Sequence, residues 1–258
     1  MARKDFWYNK AKQEGYRTRA AYKLIQIDEL ENVFSRGDTV VDLGAAPGGW
    51  IEVAAAAVGE DGLVIGVDRQ RIRDVDDLEA PVETIRGDIT DETTHDRLQR
   101  LLDGRSVDVI LSDMAPDMTG EYSLDQARSL HLASIAFEFA QAFLAPGGHF
   151  VTKIFEGDGV NELRADLEQA FEYVRATSPE ASRDASSELY LVGKRYVDPP
   201  VSVGDELTVR IETIGEEGDG IASVEGYRLF VPDVEQGAEV EVVVEDVKSS
   251  FGFARSRE

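Results

Sequence analysis

The 258-residue chain has no cysteine. Disulfides, thiolate nucleophiles and thiolate metal sites are thereby excluded. Histidine is nearly as scarce: His95, His131 and His149 are scattered, and no metal site is expected from them. No apolar run approaches the roughly 18 residues that span a bilayer. The opening segment MARKDFWYNKAKQEGYRTR lacks the apolar stretch of a secretory signal peptide. No membrane partner is expected, and the expected location is the cytoplasm. Phosphate-loop signatures are missing too: neither G-x-x-x-x-G-K-[ST] nor G-x-G-x-x-G occurs.

Positive charge is in short supply. Lys and Arg number 27 against 51 Asp and Glu, for a net charge of −24. A field of that sign argues against nucleic acid as a general partner, and no DNA partner is expected. Acidity on this scale reads as a solvent adaptation of the halophile type. Residues 1–24 run the other way. Arg3, Lys4, Lys10, Lys12, Arg17, Arg19 and Lys23 face only Asp5 and Glu14, and Phe6, Trp7, Tyr8, Tyr16 and Tyr22 lie among them. Cations interleaved with aromatic rings suit an RNA backbone and unstacked bases. The plainer alternative is a disordered tail with chance charge.

What is present is an alternation. Helical patterns at 20–31, 50–58, 91–102, 124–144 and 160–171 separate strand patterns at 38–42, 63–68, 82–86, 107–112, 149–154, 172–177 and 189–192. APGG at 145–148 reads as the breaker that ends the long fourth helix. Such alternation predicts a Rossmann-like α/β domain, an open and mostly parallel sheet with helices on both faces. VDPP at 197–200 cannot continue a strand or helix, so a boundary is placed there: 1–198 as the larger domain, 199–258 as a small all-β, OB-like barrel.

The chemistry gathers at strand ends. VVDLGAAPGGW, Val40 to Trp50, joins a buried strand to a helix through a glycine-rich turn in which Gly48 and Gly49 admit a ligand close to the backbone. Asp42 ends the first strand. Asp68 ends the second, where an acid commonly holds a ribose. Asp88 follows the third, in position for an adenine amino group. That much negative charge would repel a pyrophosphate and suits a cationic nucleoside without phosphate, which S-adenosylmethionine is. Each acid taken alone is equally well read as a helix cap. Asp113 in LSDMAPDMTG ends a further strand and would face the reacting end of that cofactor, with the loop at 114–122 over the substrate. Lys153 in VTKIFEG interrupts an apolar strand, a costly place for an ammonium unless it is paired. A neutral lysine there could act as general base; a snorkelling lysine is the plainer reading.

In order and spacing, DLGAAPGGW, SDMAPDMTG, APGGHFVTKIFEG and SSELYLV resemble the FtsJ-like ribosomal-RNA 2′-O-methyltransferases, over about residues 5–195. YRTRAAYKLIQID is similar to the family's substrate-side helix. The resemblance implies a Lys-Asp-Lys-Glu tetrad at Lys23, Asp113, Lys153 and Glu188. It implies cofactor contacts at Gly48, Trp50, Asp68, Asp88 and Asp113. It also implies methylation of a uridine 2′-oxygen in large-subunit (23S) ribosomal RNA by S-adenosylmethionine. Transfer RNA is the alternative substrate, and a non-catalytic ribosome assembly factor the alternative class. GDGIASVEGYRLFVPD and SSFGFARSRE resemble a TRAM domain, in which Phe230, Phe251 and Phe253 would stack on bases and Arg228, Arg255 and Arg257 would lie near phosphates. The competing reading makes those phenylalanines barrel core. Residues 201–258 carry five basic and fourteen acidic side chains, so any RNA contact there must be a local patch. The partner expected is ribosomal RNA or the large subunit, the protein a monomer, the metal none.

Overall fold

The computed structural model describes residues 2–73, 78–182, 187–215 and 218–257, with side chains from Phe6 onward. The side chains of Arg3, Lys4 and Asp5, and Ser186 at the head of SSELYLV, lie outside the described residues. The chain divides into two compact units: Met1–Leu167 with Tyr173–Tyr196, and Glu168–Glu172 with Val197–Glu258.

In chain order the elements are α1 (Ala2–Glu14), α2 (Ala21–Glu31), β1 (Thr39–Leu43), α3 (Gly49–Val58), β2 (Leu63–Asp68), β3 (Val82–Arg86), α4 (Glu92–Leu102), β4 (Val107–Ser112), α5 (Tyr122–Phe143), β5 (Leu144–Phe155), α6 (Val160–Ala170), β6 (Phe171–Thr177) and β7 (Glu188–Tyr196). The seven strands lie in the order β3-β2-β1-β4-β5-β7-β6. β1 is buried along its whole length, as a central parallel strand must be. On either side of β1 the chain winds in opposite directions, and open α/β sheets bind ligands at the carboxyl ends of strands flanking such a switch point.

Successive strand residues face opposite ways, so each strand feeds two cores. Val40, Leu111, Val151 and Tyr190 pack with Leu24 and Ile27 of α2 and with Trp50 and Ile51 of α3. Phe150, one residue along β5 from Val151, meets Phe137 of α5, ring centroids 6.0 Å apart. Helices therefore cover both faces, as the alternating pattern predicts. Close approach of α3 to the sheet follows from its composition: Ala54 and Ala55 are fully buried, and the helix is apolar on most sides.

Three local expectations change. The N-terminal segment is helix α1, and its Ala11 and Trp7 pack with Tyr22 and Ala181; apolar contacts on α2 override its charge. APGG does not separate helix from strand, because β5 already begins at Leu144. Leu144 pairs with Val107, and the register then slips so that His149 pairs with Val109. Gly147 (φ 87°) can take the left-handed turn that such an irregularity uses. Finally β7 starts at Glu188 and runs antiparallel to β5 as far as Lys194 opposite His149.

The second unit is a closed barrel of β8 (Glu206–Ile214), β9 (Gly220–Val224), β10 (Tyr227–Val231), β11 (Glu239–Val247) and β12 (Phe251–Ser256), in the order β10-β12-β11-β8-β9. Its core is aliphatic apart from Tyr227: Val209, Ile211, Leu229, Val231, Val242 and Val244 fill it.

Candidate active site

The glycine-rich turn is built by the backbone. Gly44 and Ala45 donate N–H bonds to the Val67 carbonyl, at 2.8 and 3.2 Å, which ties the turn to the end of β2. Asp68 completes the tie, accepting from Ala46 N (2.9 Å) and Gln70 N (2.6 Å). Each of its oxygens keeps a second lone pair for a ligand hydroxyl. Gly44 (φ 74°) and Gly48 (φ 109°) both adopt conformations that favour glycine. A Cβ at Gly44 would sit 2.5 Å from Met114 Cγ, and one at Gly49 would collide with Thr18 Oγ1.

The N-terminal segment locks this turn from outside. Arg17 pairs with Glu52 through Nε (3.2 Å) and its own backbone N–H (3.0 Å), and its guanidinium reaches the carbonyls of Pro47 (3.3 Å) and Arg73 (2.9 Å). Trp50 is buried. Its indole N–H donates to the Ala20 carbonyl (2.9 Å), and its ring lies 5.8 Å from that of Tyr190. It forms wall between the turn and the polar cluster described next.

Lys153, Asp113, Lys23 and Glu188 converge. Lys153 Nζ lies 3.0 Å from Asp113 Oδ1 and also donates to the Asp113 carbonyl. Lys23 Nζ lies 2.5 Å from Glu188 Oε1. Both lysines are 6 % exposed, so they are paired rather than snorkelling. Register explains the meeting: on β5 and β7, Lys153 pairs with Tyr190 and Phe155 with Glu188, which puts residues 153, 190 and 188 in reach of one another on one face. Tyr190 links the two ion pairs. Its hydroxyl lies 2.8 Å from Asp113 Oδ1 and 3.2 Å from Glu188 Oε1, with one proton to serve both. Burial and these two carboxylates push its pKa well up, so it stays a donor. Ser182 Oγ donates to Glu188 Oε1 (2.8 Å), and Lys23 stands over the Tyr190 ring at 5.7 Å. Buried pairs of this kind add little net stability, while losing one partner strands a charge at a cost of about 3–5 kcal/mol. They hold geometry.

Asp42, one residue before Leu43, is 1 % exposed, and neither carboxylate oxygen has a hydrogen-bond partner among the described residues. Burial first, then Asp113 and Asp68, raises its pKa well above the usual carboxylate range. Asp88 stands differently. Thr90 N and Oγ1 donate to its Oδ1 at 3.1 and 2.8 Å, Arg69 lies 3.5 Å from Oδ2, and these hold its pKa below normal. Asp68 and Asp88 are not gathered into the lysine–carboxylate cluster. Three strand spacings of roughly 4.8 Å separate β2 from β5, so only an elongated ligand could engage both ends.

On the barrel, Phe230, Phe251 and Phe253 lie outside the core. Their centroids are 5.5 to 5.8 Å apart, and Phe253 is 41 % exposed. Arg255 pairs with Glu245 (2.8 Å) and Arg257 with Glu206 (2.5 Å). Arg228, exposed beside the rings, makes no ion pair among the described residues.

Tyr190, Ser182 and Arg17 escape a reading by sequence. Tyrosine is an ordinary strand residue, and only its two-residue spacing from Glu188 hints at a shared face.

A sheet with this strand order, parallel from β3 to β5 with β7 antiparallel, this turn at its switch point and a polar cluster on the next strands defines a Rossmann-like methyltransferase. The sequence profile of the FtsJ-like methyltransferase family matches residues 16–196, and that of the TRAM domain matches 200–256. The chain belongs to the FtsJ-like methyltransferase family and is an enzyme. Its relatives include proteins named ribosomal RNA large subunit methyltransferase E. The one from Halorubrum lacusprofundi is 58 % identical over 98 % of this chain and 94 % of its own. The one from Natronomonas pharaonis is 56 % identical over both chains entire. A crystal structure described as that of a ribosomal RNA methyltransferase from Plasmodium falciparum superposes with TM-score 0.63 at 28 % identity, over 70 % of this chain and 98 % of the other.

Proposed function

We propose that this enzyme methylates the 2′-oxygen of a uridine ribose in large-subunit ribosomal RNA, with S-adenosylmethionine as donor. The observation that carries the reading is the largely buried chain Lys153–Asp113–Tyr190–Glu188–Lys23, gathered just past the end of β4, near the end of β5, at the start of the antiparallel β7 and on α2. The donor's chemistry fits the turn, for the orphaned Asp42 and the acids Asp68 and Asp113 favour a cation and no phosphate, and glycines stand where side chains would crowd it. When bound, the cofactor supplies an electrophilic methyl group on a sulfonium.

The chain's own residues do the rest. Gly48 would admit the methionine part, with Trp50 as wall. Asp68 would take the ribose hydroxyls through its free lone pairs, and Asp88, oriented by Thr90, the adenine edge. Lys153 would accept the proton of the substrate hydroxyl as that oxygen takes up the methyl group from the sulfonium. Asp113 fixes the Lys153 amine, and Tyr190 keeps Asp113 and Glu188 in register. Lys23, held by Glu188, steadies the oxygen that gains charge. Positioning supplies most of the rate. Exposed Phe6 and Tyr8 on α1 and the three-ring face of the barrel would receive RNA bases.

The test uses the full chain with labelled S-adenosylmethionine, in concentrated KCl, on large-subunit RNA and separately on bulk transfer RNA. Label is expected in large-subunit RNA, in alkali-resistant dinucleotides, because a 2′-O-methyl group blocks alkaline cleavage. Label in transfer RNA alone, or in alkali-released mononucleotides, would sink the proposal, and label in neither would favour an assembly factor. Lys153→Ala should cut turnover by at least about 10²-fold while cofactor binding by equilibrium dialysis persists.

A further inference from the structure

Tyr122 opens α5 at the end of the loop that follows Asp113. Its hydroxyl donates to the Glu156 carbonyl at 2.6 Å. Glu156 lies three residues beyond Lys153, roughly 10 Å along extended chain. One side chain thus ties the loop after the Asp113 strand to the loop after the Lys153 strand. Its ring nevertheless remains open to solvent, with the residue 59 % exposed.

The surroundings are rigid. Asp125 is buried and accepts from Thr119 N (2.8 Å), Thr119 Oγ1 (2.8 Å) and Gly120 N (3.0 Å), knotting the loop onto the first turn of α5. These bonds hold its pKa below normal, so the knot stays ionised and closed. Gln126 Nε2 donates to the Asp158 carbonyl (2.5 Å), a second tie across the same two loops. Met118, in the knotted loop, is 63 % exposed.

The charge around this ledge is negative: Asp117, Glu121, Glu156 and Asp158 belong to the same two loops. Such a rim repels phosphates but does not hinder a flat, uncharged base. An aromatic face held still by its own hydroxyl loses little freedom on stacking, and stacking survives high salt where phosphate contacts are screened.

We propose that Tyr122 is the stacking platform for a base next to the ribose being methylated, and so a positioning residue for RNA. This rests on the reading that the enzyme acts on an RNA ribose; should the wild-type chain label no RNA, that reading fails first and the platform falls with it.

The test compares wild type with Tyr122→Leu, Tyr122→Ala and Tyr122→Phe on large-subunit RNA. Leu and Ala should raise KM for RNA about 5- to 100-fold, with the cofactor Kd unchanged. Phe, which keeps the ring and loses the tie to Glu156, should restore KM to within about threefold. The Leu-to-wild-type ratio should not shrink between dilute and concentrated KCl. The proposal is overturned if wild type labels RNA and Leu leaves KM within twofold, or if Phe is as damaged as Leu, which would make the hydroxyl tie the whole effect. It is equally overturned if cofactor Kd rises in step with KM. Should Ala fail to fold, the Leu and Phe arms decide alone.

Discussion

A lysine inside VTKIFEG is visible in sequence because an ammonium in an apolar strand demands a partner. Its partner Asp113 is visible for a similar reason, at the end of a buried strand. Tyr190 is not visible, since nothing in a tyrosine's type separates a hydroxyl that bridges two carboxylates from one that faces water. Arg17 is hidden for the opposite reason: it lies among seven cations in the first 24 residues, and only the fold selects it to clasp Glu52. Asp42 yields a prediction at this scale. Its folded pKa is raised while the unfolded value is near ~3.9. Its contribution is therefore whole below that value and is lost as pH climbs through the folded pKa, because the unfolded chain ionises first. Asp42→Asn should match wild type in thermal midpoint near pH 4 and exceed it by a growing margin toward pH 8. A constant gap across that range, read by calorimetry, would show that Asp42 is not held neutral. The same variant should bind S-adenosylmethionine more weakly, since a cation bound beside Asp42 would favour the ionised carboxyl that asparagine cannot supply.

Elements were readable wherever hydrophobic period and turn chemistry agree. β2, β3 and β4 span the residues expected of them, β1 runs one residue past Asp42 to Leu43, and α3 follows from an alanine-rich run that opens at the second of two glycines. Agreement fails where pairing overrides local preference. Pro146 and Gly147 look like a break, yet a slipped register lets β5 carry them from Leu144. β7 is longer than its apolar stretch because antiparallel pairing with β5 extends it through Lys194, and that pairing brings Glu188 to the site. α1 shows almost no amphipathic pattern, so its helix rests on the contacts of Trp7 and Ala11. The turn between β1 and α3 is the element whose failure should be most informative. Gly44→Ala would impose a side chain at φ 74° and against Met114. Strain of that kind costs about 1–2 kcal/mol, which predicts a drop in melting temperature of roughly 2–8 °C together with weaker cofactor binding. If calorimetry shows no drop, Met114 has moved aside and the turn is not strained; if cofactor Kd is also unchanged, close approach at Gly44 is not needed.

For the whole molecule the puzzle is a net charge of −24 on an enzyme for RNA. Phosphate neutralisation is weak in concentrated salt in any case, because counterion release then gains little. On the proposed reading, rings would take over where cations are screened. On the barrel, pairing of β10 with β12 sets Arg228 opposite Phe251 and Phe230 opposite Phe253, all on the outer surface. The phenylalanines were legible as a motif, but strand alternation alone could not say whether they faced the core; an aliphatic interior leaves them outside. Of the three arginines expected near phosphates, Arg255 and Arg257 are tied to Glu245 and Glu206. Arg228 is thus the cation to test. Two substitutions in the full chain separate the contributions. Phe253→Ala should weaken RNA binding about 5- to 100-fold and leave the slope of log affinity against log salt unchanged, since a stacked base releases no counterion. Arg228→Ala should weaken binding mainly at low salt and flatten that slope by about 0.7, the value for one phosphate on single-stranded RNA. Filter binding across a KCl series measures both. A slope altered by Phe253→Ala, or an affinity unmoved by it, would mean that the ring face does not hold bases, and that the acidic barrel serves the enzyme in some way other than gripping its substrate.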